Sequence, residues 1–216
     1  MQNSLQLKVC GMRSPENIAG LVELAPDYMG LIFYERSTRF VEAEENLTAF
    51  ESVPSHIQKV GVFVNATIAY VREKVSSYHL DLVQLHGAES PAYCQELKEA
   101  AIKVIKVFSV EGALDLQAIS SYEGIVDYFL FDTKTPKHGG SGKTFDWSVL
   151  QAYNLPTPYF LSGGLSLENL ETLDPAKMPG LIGLDVNSKF ETSPGYKNLQ
   201  LIEALKKLMN DKLQAV

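Results

Sequence analysis

Eight short apolar runs, rich in β-branched and aromatic residues, recur along the 216-residue chain and constrain its fold more than any other feature. The segments between them place hydrophobic residues at helical spacing, so the pattern predicts strands that alternate with helices around a parallel sheet. The predicted strands cover residues 5–11, 28–34, 59–64, 82–87, 103–109, 127–133, 158–164 and 181–188. Their spacing suits one strand, one helix and two short loops per unit.

Eight such units without a second zone of composition predict an α/β protein, a single-domain (β/α)8 TIM barrel over residues 1–216. A doubly wound open sheet is the alternative fold. Helices are predicted to begin at Ser14-Pro15, at Ser90-Pro91 and at Asn198, because Ser or Asn caps a helix and Pro suits its first position.

Charge and composition exclude several classes of partner. Nineteen basic against 26 acidic residues give a formal charge of −7, which disfavours binding to nucleic acid or an anionic membrane. No apolar run is long enough to span a bilayer, and the N-terminus lacks the pattern of an export signal. Cys10 and Cys94 lack metal-ligand spacing. We therefore expect a cytoplasmic protein with reduced thiols and no metal. The expected partner is a small-molecule substrate, and the chain is expected to be a monomer or a homodimer.

In a barrel of this kind the active site lies at the carboxyl ends of the strands, and here those ends are polar. Glycines follow the sixth strand, where Gly142 closes a Gly-rich segment, and the seventh, at Gly163-Gly164. Ser188 ends the eighth strand. Because glycine lets backbone N–H groups approach an anion, these residues predict a phosphate site, although a Gly-Gly pair alone more often marks a turn.

Two strand ends carry groups suited to proton transfer. Asp132 follows an apolar run, a setting that favours the protonated acid and suits a general acid, but a helix cap or an ion pair with Lys134 or Lys137 is an equal alternative. Cys10 alternates with Lys8 along the first strand, so both should point to one face, where an ammonium would favour a thiolate base. An inert core thiol is the alternative for Cys10.

Arg39 and His86 each have a functional and a purely structural interpretation. Arg39 follows the second strand, where a guanidinium could grip a carboxylate in bidentate geometry or simply be solvated. His86, on the fourth strand, could donate to substrate or satisfy a buried partner, and we favour a supporting role. Cys94 lies on a predicted helix and is expected to pack in the core.

Taken together and in order, these strand ends resemble the phosphoribosylanthranilate isomerase family of the tryptophan pathway. The resemblance runs nearly end to end and rests on eight strings in the correct order. They are KVCGM at 8–12, GLIF at 30–33 with STRFV at 37–41, KVGVFVN at 59–65, VQLHG at 83–87, FDT at 131–133, GGSGKTFDW at 139–147, LSGGL at 161–165 with EN at 168–169, and GLDVNSKFET at 183–192.

The resemblance implies a (β/α)8 fold and an Amadori rearrangement of phosphoribosylanthranilate. Asp132 would be the general acid, Cys10 the general base, and Arg39 the residue that binds the anthranilate carboxylate. The phosphate would be held by Gly142, Gly163, Gly164 and Ser188, while His86 and Asp185 would line the pocket. An iminium formed on the substrate would serve as electron sink, so no cofactor is expected.

Two positions depart from the pattern of the family. It often has Pro where Thr38 stands and Gly where Lys189 stands, so the second loop and the turn after Ser188 are expected to differ. Two other functions stay open: another barrel enzyme acting on a related phosphate, and a non-catalytic barrel that binds a phosphate ligand or scaffolds a partner.

Overall fold

The strands close into a barrel in a computed structural model of the chain, which describes residues 5–41, 47–133 and 145–212. Eight parallel strands pair in chain order, and β8 pairs with β1. The strands are β1 Gln6–Cys10, β2 Tyr28–Ile32, β3 Gln58–Phe63, β4 Leu82–Leu85, β5 Lys103–Val110, β6 Tyr128–Thr133, β7 Tyr159–Leu161 and β8 Leu181–Val186. The predicted (β/α)8 barrel is confirmed, and the open sheet is wrong because β1 and β8 are joined.

Helices connect successive strands, as the apolar spacing predicts. They are α1 Pro15–Glu23, α2 Leu47–Glu51, α3 Ile68–Tyr78, α4 Pro91–Glu99, α5 Leu116–Ser120, α6 Leu167–Leu170 and α7 Leu199–Lys212. The described part of the connection from β6 to β7 holds a 3-10 helix, Trp147–Ala152, and further 3-10 turns cover Pro175–Lys177 and Ser188–Phe190. None of the helices in the described ranges is both long and apolar enough to cross a bilayer.

Two of the three predicted helix caps form as expected. The hydroxyl of Ser90 accepts from the backbone N–H of Tyr93 at 3.2 Å, and Asn198 Oδ1 accepts from Leu201 N at 3.2 Å. Ser14 occupies the N-cap of α1 in an extended conformation, but its side chain makes no capping hydrogen bond there. Pro15 instead favours the helix start, since its ring fixes φ near the helical value.

Alternation along the strands sorts side chains into two layers. One set, including Val9 and Phe129, points outward and joins the core beneath the helices. The other points inward and forms an apolar floor that contains Leu82, Leu130 and Phe160. Because side chains repeat every two residues on a strand, the next inward residues on β4 and β6 and just past β7 are polar: Gln84, Asp132 and Ser162. The polar upper layer of the lumen therefore lies directly above the apolar floor.

Four strands end at least two residues earlier than predicted: the second and fourth runs, 28–34 and 82–87, form strands only over Tyr28–Ile32 and Leu82–Leu85, and the seventh and eighth runs are shortened as well. The runs predicted over 158–164 and 181–188 form strands over Tyr159–Leu161 and Leu181–Val186. Gly163 and Gly164 have φ of 90° and 68°, a left-handed conformation that leaves the sheet. The chain after β8 forms an unpredicted hairpin, β9 Glu191–Ser193 and β10 Tyr196–Lys197.

Removing the floor should destabilise the whole barrel. Phe160 is fully buried and meets the ring of Tyr28 edge-on at 5.1 Å between centroids. We expect Phe160→Ala to lower the free energy of unfolding by about 3–5 kcal/mol, because it leaves a cavity in the lumen. Urea unfolding followed by circular dichroism measures this, with Phe160→Leu as the smaller control change. A loss of less than about 1 kcal/mol in the free energy of unfolding would show that the floor contributes little to the stability of the barrel.

Candidate active site

A cavity opens at the carboxyl ends of the strands, with about 740 Å³ of empty space including its mouth. Its lining includes eight of the nine residues predicted for the site: Cys10, Arg39, His86, Asp132, Gly163, Gly164, Asp185 and Ser188. The ninth, Gly142, lies outside the described residues.

Closure of the barrel gives Cys10 its charged neighbours. Lys8 and Cys10 point to the same inward face, as predicted, and Lys8 Nζ donates to Asp185 Oδ1 at 2.9 Å. Burial lowers the pKa of Lys8, but Asp185 and Cys10 outweigh it and raise that pKa above its usual value, so Lys8 is an ammonium. A Cβ on Gly30 would lie only 2.9 Å from Cys10 Sγ, so this glycine makes room for the thiol.

Lys8 lowers the pKa of the Cys10 thiol, as expected of an ammonium beside it, but burial has the larger effect. Burial raises the pKa of the Cys10 thiol, and the opposing effect of Lys8 does not offset it. The physical reason is desolvation, since the thiol is only 3% exposed and the charged form loses most of its hydration there. Cys10 therefore rests as a thiol with a cation beside it. Cys94 is also buried, as expected of a packing residue.

Asp132 faces the cavity from the end of β6. Its Oδ1 accepts the backbone N–H of Thr133 at 2.8 Å, and its Oδ2 lies 3.3 Å from His86 Nε2. The imidazole thus contacts the carboxyl group from the loop just after β4, and the supporting role of His86 stays a prediction. Lys134 and Lys137, the alternative partners for Asp132, lie outside the described residues.

The loop after β7 comes unusually close to Asp132. A Cβ on Gly163 would lie 2.5 Å from Thr133 N and 2.8 Å from Asp132 Oδ1, so only glycine fits. Asn169 Nδ2 donates to the carbonyl of Gly164 at 3.0 Å and fixes the orientation of the loop. The N–H groups of Gly163 and Gly164 donate no hydrogen bond to another described residue, as an anion-binding loop requires.

Arg39 reaches the cavity from the loop after β2 but is already engaged with a carboxylate. Its Nε and Nη2 donate to Glu191 Oε1 and Oε2 at 2.8 and 2.6 Å. Lys197 Nζ, which is fully buried, donates to the same carboxylate and to Asn187 Oδ1 at 2.7 Å. The prediction for Arg39 did not include this cluster.

Sequence reasoning assigned no role to Glu191 or Lys197. The signal available was local: Ser193-Pro194-Gly195 is a turn sequence, and a turn that soon after β8 predicts a hairpin over the strand ends.

Gln84 was missed as a lining residue as well. Its Oε1 is buried without a partner among the described residues, and it lines the cavity. Lys189, one of the two departures from the family pattern, also lines it.

A closed parallel barrel with titratable side chains gathered at the carboxyl ends of its strands defines a (β/α)8-barrel enzyme. Residues 7–207 match the family model described as N-(5'-phosphoribosyl)anthranilate (PRA) isomerase. The chain belongs to this isomerase family.

Individual relatives agree with the family model. The chain is 48% identical to N-(5'-phosphoribosyl)anthranilate isomerase of Parabacteroides distasonis over 200 residues, which cover 91% of the chain and 90% of the relative. It is similar to the crystal structure of phosphoribosyl anthranilate isomerase from Thermotoga maritima, with a TM-score of 0.83 and 32% identity over 95% of this chain and 98% of that one. Another similar isomerase structure holds reduced 1-(o-carboxyphenylamino)-1-deoxyribulose 5-phosphate; its TM-score is 0.79, at 28% identity over 95% of this chain and 98% of that one.

The close approach of the loop after β7 to Asp132 can be tested at one glycine. Gly163→Ala should lower kcat/KM by at least about tenfold, because the new methyl group displaces Asp132 or the loop, and it should cost on the order of 1–3 kcal/mol of stability. The matched control is Gly124→Ala, since Gly124 has φ of 67° and a Cβ added there would meet nothing within 4 Å. It should show the backbone cost without the loss of activity. Equal activity of the two variants would contradict the steric argument.

Proposed function

We propose that the chain converts N-(5-phosphoribosyl)anthranilate to 1-(o-carboxyphenylamino)-1-deoxyribulose 5-phosphate by general acid-base catalysis. The observation that carries the proposal is that Cys10, on β1, and Asp132, on β6, line one cavity together with Arg39 and the Gly163-Gly164 loop. One cavity thus offers a proton donor, a proton acceptor, a cation and an anion-binding loop. A solved relative that holds a reduced form of this product supports the assignment.

The first step is opening of the ribose ring. Asp132 delivers a proton to the ring oxygen as the bond from that oxygen to C1 breaks, and the nitrogen lone pair forms the iminium. His86 Nε2, 3.3 Å from Asp132 Oδ2, is placed to share the proton that the acid must carry. Asp132 stands above the apolar floor and is only 7% exposed, so the proton is transferred in a part of the cavity from which most water is excluded.

The second step moves a proton from C2. The iminium acidifies the C2–H bond, Cys10 accepts the proton, and the electron pair forms an enolamine that tautomerises to the ketone. The thiolate forms first, when the Cys10 thiol releases its proton to solvent, and Lys8 stabilises it because its ammonium lies beside the thiol and is held there by Asp185. No atom is gained or lost overall, and the iminium is the only electron sink required.

Binding is divided between the two ends of the substrate. Arg39 holds the anthranilate carboxylate, while the N–H groups of Gly163 and Gly164, together with Ser188 and Gly142, hold the phosphate. Lys189 lies at the cavity as well and adds positive charge near Ser188. Asp185 acts indirectly, through Lys8.

The same proposal includes the role of the domain, its compartment and its oligomeric state. We propose that the barrel is a catalytic domain that acts in the cytoplasm on a small molecule. Whether it is a monomer or a homodimer stays a prediction.

Turnover of phosphoribosylanthranilate, followed by the loss of its fluorescence, tests the function and separates it from a non-catalytic barrel. Asp132→Asn keeps the shape of the side chain but cannot supply the proton, so kcat should fall by at least about 10²-fold. Asp115→Asn, at the N-cap of α5, is the control with the same chemical change away from the cavity. Near-normal turnover by Asp132→Asn would remove it from the acid role.

Replacing the proposed base should separate activity from stability. Cys10→Ser swaps the thiol for a much weaker acid of similar size, so activity should be abolished while the thermal midpoint stays close to that of the unmodified chain. Cys94→Ser serves as the control because Cys94 is the other buried thiol and does not line the cavity. A large loss of stability with residual activity in Cys10→Ser would favour the inert core thiol instead.

A further inference from the structure

The carboxylate of Glu191 grips only one edge of the Arg39 guanidinium. Nε and Nη2 face Glu191, at 2.8 Å to Oε1 and 2.6 Å to Oε2, so the side edge of the planar fork is occupied. The end edge, formed by Nη1 and the second proton of Nη2, donates to no other described residue. A guanidinium has two such edges, and each can bind a carboxylate in bidentate geometry.

The side chain of Glu191 is itself held firmly. It is only 4% exposed, and its Oε1 also accepts the backbone N–H of Gly195 at 3.2 Å across the β9–β10 hairpin. The hairpin is fixed to the barrel by Asn17 of α1, whose amide accepts from Lys197 N at 2.7 Å and donates to Lys197 O at 2.9 Å. The Glu191 carboxylate is therefore held in a fixed position and is not a mobile surface group.

The cluster formed by Arg39, Glu191 and Lys197 carries a net charge of +1. Arg39 and Lys197 are cations, Glu191 is the anion between them, and the sum is +1. Burial lowers the pKa of Lys197, partly offset by Glu191, to about 8, so the ammonium persists at neutral pH. Arg39 and Cys10 are the other ionisable neighbours of Lys197. Burial would raise the pKa of Glu191, but Arg39 and Lys197 hold it below its usual value, so it is a carboxylate.

We propose that Glu191 and Lys197 are positioning residues for substrate binding: Glu191 fixes Arg39 with its end edge toward the substrate carboxylate, and Lys197 offsets the charge of Glu191. Without Lys197, the Arg39–Glu191 pair would be neutral and would attract an anion weakly. Without Glu191, Arg39 would keep its charge but lose its orientation. This inference rests on the proposed function, which gives Arg39 the anthranilate carboxylate as its ligand.

The test is a double-mutant cycle on KM for phosphoribosylanthranilate. Glu191→Gln should raise KM by about tenfold with kcat changed by less than about threefold, because binding and not proton transfer is affected. Combined with Arg39→Ala, the same substitution should add less than about twofold, since it acts through Arg39. An equal factor in both backgrounds would overturn the proposal and indicate a merely structural role.

Lys197→Met provides the second variant and keeps the proposal testable if Glu191→Gln fails to fold. It should raise KM by about tenfold as the net charge of the cluster falls to zero. Lys177→Met is the matched control, because Lys177 is 67% exposed and pairs with Asp174 at 2.8 Å on the surface. An unchanged KM in Lys197→Met would overturn the charge argument.

Two inhibitors separate this inference from the proposed function. Anthranilate presents the carboxylate alone and inorganic phosphate presents the other end, so Glu191→Gln and Lys197→Met should weaken anthranilate binding by about tenfold and leave phosphate binding unchanged. Equal weakening of both ligands would contradict a specific role at Arg39. If the unmodified chain does not turn over phosphoribosylanthranilate, the proposed function fails, and binding of anthranilate by calorimetry still decides the role of the cluster.

Discussion

Pairing of β8 with β1 is the constraint on which the rest of this protein depends. It places Asp185 beside Lys8, residues 177 positions apart, and joins them at 2.9 Å inside the lumen. A buried ammonium without its carboxylate would be very costly, and the carboxylate alone would be equally so. The same closure sets Cys10 beside Lys8 and brings the loops after β7 and β8 over the cavity.

Buried charge recurs in the protein as paired groups near the cavity. Lys8 pairs with Asp185, Lys106 with Glu89, and Lys197 with Glu191 and through it with Arg39. Such pairs add little net stability, since desolvation offsets much of the attraction, but each fixes a particular geometry. In this chain the first adjoins the proposed base, and the third orients the proposed carboxylate-binding residue.

The second pair, Lys106 with Glu89, supports the rim next to His86. Lys106 Nζ donates to the carbonyl of Gly87 at 2.7 Å, and Glu89 accepts the backbone N–H groups of Asn65 and Gly87. The loop that carries His86 toward Asp132 is thus fixed by a neighbouring strand. Division of the lumen into an apolar floor and a polar upper layer leaves these groups free to serve the site while the floor and the outer core stabilise the fold.

The sequence by itself determined the strand count, the alternation with helices and the side chains at the strand ends, because side-chain period and turn residues are local properties. From these the barrel could be predicted, and with it the gathering of Cys10, Asp132 and Arg39 at one end. Tertiary structure decided what surrounds each group. Burial makes Cys10 a resting thiol despite Lys8, and a hairpin far along the chain supplies Glu191 to Arg39. Desolvation and long-range pairing depend on three-dimensional neighbours, which no local pattern specifies.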